Sequence, residues 1–129
     1  MSSPITAINA GAVVVGAAFG ALARWFAGLW LNTAYPGFPL GTLLVNCVGG
    51  LLIGVALFWF ERSPNETLRL LGVTGFLGGL TTFSSFSGES LVLLQRGDFA
   101  LAVGHSAAHL LGSLACAALG FWVARAVLS

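Results

Sequence analysis

The sequence predicts an all-α membrane protein with four transmembrane helices, the third broken at a midpoint rich in Gly, Thr and Ser. Three observations predict this. The chain is 57% hydrophobic and only 7% charged, with a mean hydropathy of +0.96, whereas a soluble domain carries roughly 25% charged residues. Four apolar segments, at about 5–31, 40–60, 68–94 and 99–128, each exceed the roughly 20 residues needed to cross the hydrocarbon. The third segment contains 72–90, GVTGFLGGLTTFSSFSGES, where glycines weaken helical preference and hydroxyls crowd in behind them.

The N-terminus carries no positively charged region ahead of its apolar run, so the first segment is expected to stay as a span. It contains Gly16 and Gly20 at helix-packing spacing. It also contains Arg24, a charge that is expensive at depth unless it is paired, faces water or snorkels to the interface. The second segment places Thr42 and Asn46 one turn apart on one face, followed by Gly50 and Gly54. Asn46 is either an interhelical hydrogen bond or a donor to an anion.

The third segment is the irregular one. Gly72, Gly75, Gly78 and Gly79 precede Thr81, Thr82, Ser84, Ser85 and Ser87, with Phe83 and Phe86 set among the hydroxyls. Backbone that leaves the helix at bilayer depth survives only inside protein or beside a water- or ion-filled cavity. Broken helices of this kind expose backbone dipoles to ions in many transporters. The plainer alternative is a tightly packed glycine-rich helix whose hydroxyls bond its own carbonyls. Glu89, the acid in the interior of this segment, either pairs with Arg24, carries protons or marks a vestibule.

The fourth segment aligns His105, His109 and Ser113 at i, i+4 and i+8, and repeats small residues at Gly112, Cys116 and Gly120. Two histidines one turn apart can hold a metal, with Glu89 as the further acid at hand. A polar stripe facing a cavity or a partner helix fits better, because no HExxH pattern accompanies the pair. The connectors at 32–39, 61–67 and 95–98 are too short to hold a soluble domain. Residues 1–129 therefore read as one four-span membrane domain.

Charge excludes other classes. A net charge of +1 with no lysine provides no surface for nucleic acid. No GxSxG elbow or P-loop supports an enzyme. Cys47 and Cys116 fall within apolar segments and read as packing residues. Four spans put Arg62, Arg69 and Arg125 on one side and Arg24 and Arg96 nearer the other. That excess is too small to fix orientation, and insertion both ways permits an antiparallel homodimer, a two-fold assembly that adds walls to a path four spans barely enclose. Hydroxyls, amides, imidazole N–H groups and the positive rims of phenyl rings suit an anion, whereas unwound carbonyls suit a cation. The residues thus describe a small polar conduction path and leave its ion open.

GTLLVNCVGGLLIG (41–54) together with TGFLGGLTTFSSFSGE (74–89) resembles the Fluc/CrcB family of bacterial fluoride channels, and Arg24 in GALARW and the turn at 96–98 fit the same pattern. The resemblance runs over essentially the whole chain. It implies a dual-topology antiparallel homodimer in the bacterial inner membrane that passes fluoride through two pores. It further implies a structural sodium ion at the dimer interface, held by the carbonyls of Gly78 and Thr81. It makes Phe83 and Phe86 the rings whose edges face fluoride and Asn46 an amide donor to it. Thr42 and Glu89 would line the pore, and Arg24 would stand in or near a vestibule. Segment four departs from the pattern. His105 and His109 stand where a hydroxyl track is expected, and only Ser113 keeps its hydroxyl. The rival reading is a proton-coupled four-span dual-topology transporter with Glu89 as carrier. Small multidrug exporters of that size place their acid in the first span, which here has Arg24 instead.

If either histidine lines the pore, fluoride flux will vary between about pH 5 and 8, where an unperturbed imidazole changes charge. A His105→Ser/His109→Ser double variant will then be flat over that range. Equal, flat profiles for both proteins would remove the histidines from the path.

Overall fold

The computed structural model describes residues 5–33 and 37–129. The centre of the Pro/Gly turn expected at 32–39 lies outside the described residues, as does the extreme N-terminus. Four helical spans result, at Ala7–Asn32, Leu40–Arg62, Glu66–Gln95 and Phe99–Leu128, each long and apolar enough to cross a membrane. We label them α1 (Ala7–Asn32), α2 (Leu40–Arg62), α3 (residues 66–80) with α4 (Phe83–Gln95) as the two parts of the third span, and α5 (Phe99–Leu128).

The ends of these helices have local causes. The Thr6 hydroxyl accepts from the Asn9 amide at 3.1 Å and starts α1. The Asn65 side chain accepts from the Leu68 amide at 3.0 Å, and Arg69 pairs with Glu66 at 2.7 Å. That cap starts the third span at Glu66, slightly earlier than hydropathy alone suggests. At the far end Gly97 adopts φ +80°. Its amide donates to the Leu94 carbonyl at 3.1 Å, and the Asp98 amide donates to the Leu93 carbonyl at 2.9 Å. This is the two-bond helix stop that a left-handed residue makes possible.

Helix packing is organised by glycine in two tight pairs. In the first, α1 lies on α3. A methyl group on Gly16 would meet the carbonyl of Leu71 and lie 2.8 Å from the Phe76 amide nitrogen, and one on Gly79 would lie 2.5 Å from the Ala17 carbonyl. In the second, α2 lies on α5. A methyl group on Gly54 would meet the Ala117 carbonyl, and one on Gly120 would meet the Leu51 carbonyl. Backbones this close leave no room for a side chain and gain dispersion energy and polar backbone contact instead.

Residues Leu70–Leu77 of α3 are wound as a π-helix, a form that widens the turn and concentrates at functional sites. Gly75 and Leu77 are buried within it. The glycine-rich stretch therefore stays helical. Helical dihedrals give way at two threonines instead, Thr81 (φ −86°, ψ 157°) and Thr82 (φ −151°, ψ 114°). The physical reason is packing. Gly75 and Gly79 face the backbone of α1, which holds them in the helix, and Thr82 acts as the N-cap of α4 by accepting from the Ser85 amide at 3.1 Å.

Outward faces carry many large apolar side chains, among them Val14, Phe19, Trp30, Leu110, Leu114 and Trp122. The buried apolar centre at Val45, Leu77 and Leu80 is small. This inversion of the soluble pattern fits a chain whose solvent is lipid.

Gly54→Leu should force α2 and α5 apart and destabilise the fold by about 1–3 kcal/mol or more. Gly104→Ala, where nothing lies within 4 Å of the added carbon, should not. Unfolding titrations in mixed micelles check the contrast.

Candidate functional site

The extended pair Thr81–Thr82 needs partners for its polar backbone, and Asn46 on α2 supplies them. The Asn46 Oδ1 accepts from the Thr82 amide at 2.8 Å, and its Nδ2 donates to the Thr82 carbonyl at 3.1 Å. One side chain thus replaces the helical bonds that Thr82 has lost, as buried backbone requires. The same Nδ2 lies 3.0 Å from Nδ1 of His109 on α5. Asn46 therefore ties three of the four spans together.

Arg24 serves the other side of the interruption. Its Nε donates to the Gly79 carbonyl at 2.9 Å, one of the carbonyls a helix leaves free at its C-terminal end. Of the roles open to Arg24 from the sequence, pairing with Glu89 is not the one adopted. The side chain also borders a cleft of about 230 Å³ with Asn32, Thr42, Thr82 and Ser85. Leu77 accepts from both the amide and the hydroxyl of Thr81, at 3.0 and 2.9 Å.

Glu89 belongs to a polar cluster. Its Oε2 accepts from the Thr42 hydroxyl at 2.6 Å, and its Oε1 lies 3.0 Å from Nε2 of His105. Nδ1 of His105 lies 2.8 Å from the Ser90 hydroxyl, which is 3.2 Å from that of Ser106. At the opposite end Asn32 donates to Thr42 at 3.3 Å and accepts from the amides of Gly41 and Thr42, fixing the start of α2. His105 is fully buried. The imidazoles of His105 and His109 have centroids 4.6 Å apart, and the Phe86 ring stacks on both, at 5.4 and 4.6 Å. One ligand atom from each of Glu89, His105 and His109 lies within 4.8 Å of the others.

Most of the residues singled out from the sequence thus fall along one seam of the bundle, with Arg24 and Gly78 outside it. Asn46, Thr81, Thr82, Phe83, Phe86, His109 and Ser113 share a cleft of about 280 Å³ with Leu110. Phe83 stands 78% exposed at its rim, edge-on to Phe86 with centroids 5.4 Å apart. Ser113 turns its hydroxyl back to the His109 carbonyl. Gly78 and Thr81 border a separate cleft of about 290 Å³ with Gly49, Gly50 and Val73. Sequence reasoning missed Asn32 and Ser90, and named Thr82 only as one of a run of hydroxyls. Their signal was weak, since each is a common polar residue whose partner lies on another element.

A bundle of four apolar helices with a seam of hydroxyls, amides and imidazoles through its middle is a multi-pass membrane protein with a path for a small polar solute. The chain belongs to the CrcB family: the family model described as "CrcB-like protein, Camphor Resistance (CrcB)" matches residues 11–121. It is 52% identical over 129 residues to the fluoride-specific ion channel FluC of Bordetella petrii, covering 98% of this chain and 99% of the relative. The FluC proteins of Ralstonia pickettii and Cupriavidus metallidurans are 53% and 52% identical, over 88% and 90% of this chain and 92% and 94% of theirs.

Asn46→Ala should leave the Thr82 amide and carbonyl unpaired, at about 1–3 kcal/mol for each buried group. Ser84→Ala, at an exposed hydroxyl, should cost little. Stability measurements and amide exchange at Thr82 check this, the latter rising only in the Asn46 variant.

Proposed function

We propose that the chain is a fluoride-selective ion channel giving passive export of cytoplasmic fluoride across the bacterial inner membrane. The observation that carries this reading is the match, over nearly the whole chain, to relatives named for fluoride conduction. The seam supports it chemically. Ring edges at Phe83 and Phe86 and the imidazoles of His105 and His109, with Thr42, Asn46 and Ser113 beside them, line a polar path without a bare ammonium. Such a path binds a small anion without trapping it. Glu89 lies at one end of that lining, and Arg24 takes a structural place beside a vestibule. No bond is made or broken, so the function is transport and not catalysis.

The channel in this reading is an antiparallel, dual-topology homodimer of single four-span domains. The exposed position of Phe83 supports this, because a ring that is to border an ion needs a second wall. The carbonyls of Gly78 and Thr81, at the end of α3, would suit a sodium ion. They are neutral oxygen donors of the kind such a cation takes, freed by the end of α3. Bound there, the ion would supply positive charge that fastens the two copies together at their shared axis.

The hydrogen-bonded run from Thr42 through Glu89 and His105 to Ser90 and Ser106 favours one second reading, a proton-coupled transporter. Glu89→Gln separates the two. It will only reduce flux in a channel but will abolish coupling to a pH gradient in a transporter.

Efflux from liposomes holding the purified protein, with potassium ionophore, should be fast for fluoride and absent for chloride. Phe83→Ile and Asn46→Asp should each abolish it. Equal passage of chloride would cancel the selectivity, and silence for both ions would reject the channel.

A further inference from the structure

Spacing alone makes a metal the weaker reading of His105 and His109, because no third ligand stands beside them on their own helix. The fold supplies one from the third span. Oε1 of Glu89 lies 3.0 Å from Nε2 of His105, and one ligand atom from each of Glu89, His105 and His109 lies within 4.8 Å of the others. Two ligand atoms on one tetrahedral zinc, each at about 2.0–2.1 Å, stand about 3.3–3.4 Å apart. The first pair is already close to that spacing, and the third atom has at most about 1.5 Å to close.

The surroundings prepare the three groups for an ion. His105 is fully buried and His109 is 4% exposed. Phe86 stacks on both rings, at 5.4 and 4.6 Å, and holds them side by side. His105 has a place for its proton when Nε2 takes a metal: Nδ1 lies 2.8 Å from the Ser90 hydroxyl, which lies 3.2 Å from that of Ser106. An outer partner of this kind fixes the ring and the tautomer of a metal-bound histidine. In His109 the nitrogen left for a ligand is Nε2, since Nδ1 faces the Asn46 amide at 3.0 Å. That Nε2 is buried without a hydrogen-bond partner among the described residues, the condition a native site does not leave unanswered. Taking a metal there moves the ring proton to Nδ1 and gives up the one contact with Asn46. The two bonds of that amide to Thr82 remain.

We propose that Glu89, His105 and His109 form a binding site for a divalent transition cation, zinc by its ligand chemistry, and that the occupied site blocks the conduction path. Two imidazoles and a carboxylate are a donor set that zinc takes with one position left open. They differ from the neutral carbonyls proposed for sodium, which border another cleft. The cluster stands where two clefts approach each other. His109 borders the cleft of about 280 Å³ beside Phe83, and Glu89 borders one of about 520 Å³ with Ser85, Gly88 and Arg96. The second is the way in for the ion, since the Glu89 side chain keeps 19% of its surface exposed. A cation held between the two closes the passage from one to the other. The site stands on this chain's own ligands, and only the block rests on the fluoride-channel reading.

The test uses the full-length, tag-free protein in lipid nanodiscs, titrated with zinc chloride and followed by calorimetry and by the signals of 15N-labelled histidine. The chain has two histidines, so every zinc-bound imidazole belongs to this site. One zinc per subunit should bind saturably and shift the signals of both rings, while magnesium chloride at equal concentration should not. Glu89→Gln, His105→Gln and His109→Gln should each weaken binding at least about tenfold, since loss even of an outer partner costs about 10–100-fold. Cys47→Ala/Cys116→Ala, which removes the thiols of the chain, should bind as the wild type does. In liposomes zinc should lower fluoride efflux over the concentration range in which it binds, and EDTA should restore it. Imidazole signals indifferent to zinc would overturn the site, as would binding that survives all three ligand substitutions. Shifted imidazoles with unchanged fluoride efflux would overturn the block. The wild-type titration needs no substitution, so a variant that fails to fold leaves the answer intact. Zinc bound at both imidazoles of a protein that passes no fluoride would sustain the site and reject the channel; fluoride efflux with no imidazole response would do the reverse.

Discussion

The structure depends on how two residues of extended backbone are satisfied in the middle of a membrane helix. An unpaired peptide group in hydrocarbon costs several kcal/mol. Here the Thr82 peptide is paired on both sides by Asn46, and the Gly79 carbonyl is taken by Arg24. The two side chains come from different spans, α2 and α1. The interruption is thus held by the bundle, and the bundle is held in register by the interruption.

This arrangement explains why the polar residues sit where they do. Once Asn46 is committed to Thr82, His109 on α5 is drawn to it, and Phe86 at the start of α4 packs flat on both imidazoles. Thr42, one turn earlier on α2, then meets Glu89. The alignment of two helical faces at a fixed distance is enough to make such a path, and that distance is set by the glycine contacts of α2 with α5.

The four spans were legible from apolar run length, because a segment of more than 20 apolar residues has few alternatives. Most of the seam was legible too, because a Thr, Asn or His in such a run needs a reason. The exact residues of the interruption were not. The stretch rich in Gly, Thr and Ser runs over 72–90, but glycine at a helix crossing serves close approach as readily as it serves unwinding, and only the facing backbone of α1 tells the two apart. Nor was the attachment of Arg24 to Gly79 or of Asn46 to His109. Each joins residues 55 and 63 positions apart, and the sequence carries no periodicity that would pair them. An antiparallel homodimer is suggested by the near-even split of arginines as well as by the family resemblance, and a sodium ion by that resemblance.

The glycine crossings have a consequence for how such a protein can change over generations. At Gly16, Gly54 and Gly120 the space for a side chain is filled by a neighbour's main chain, which no substitution elsewhere can remove. A mutation there cannot be repaired by shrinking a facing residue, as it can in an ordinary core. The paired helices α1 with α3 and α2 with α5 are therefore bound to drift as units. Variation is channelled to exposed apolar positions, such as Val14, Leu114 and Trp122, where one apolar side chain exchanges for another at little cost.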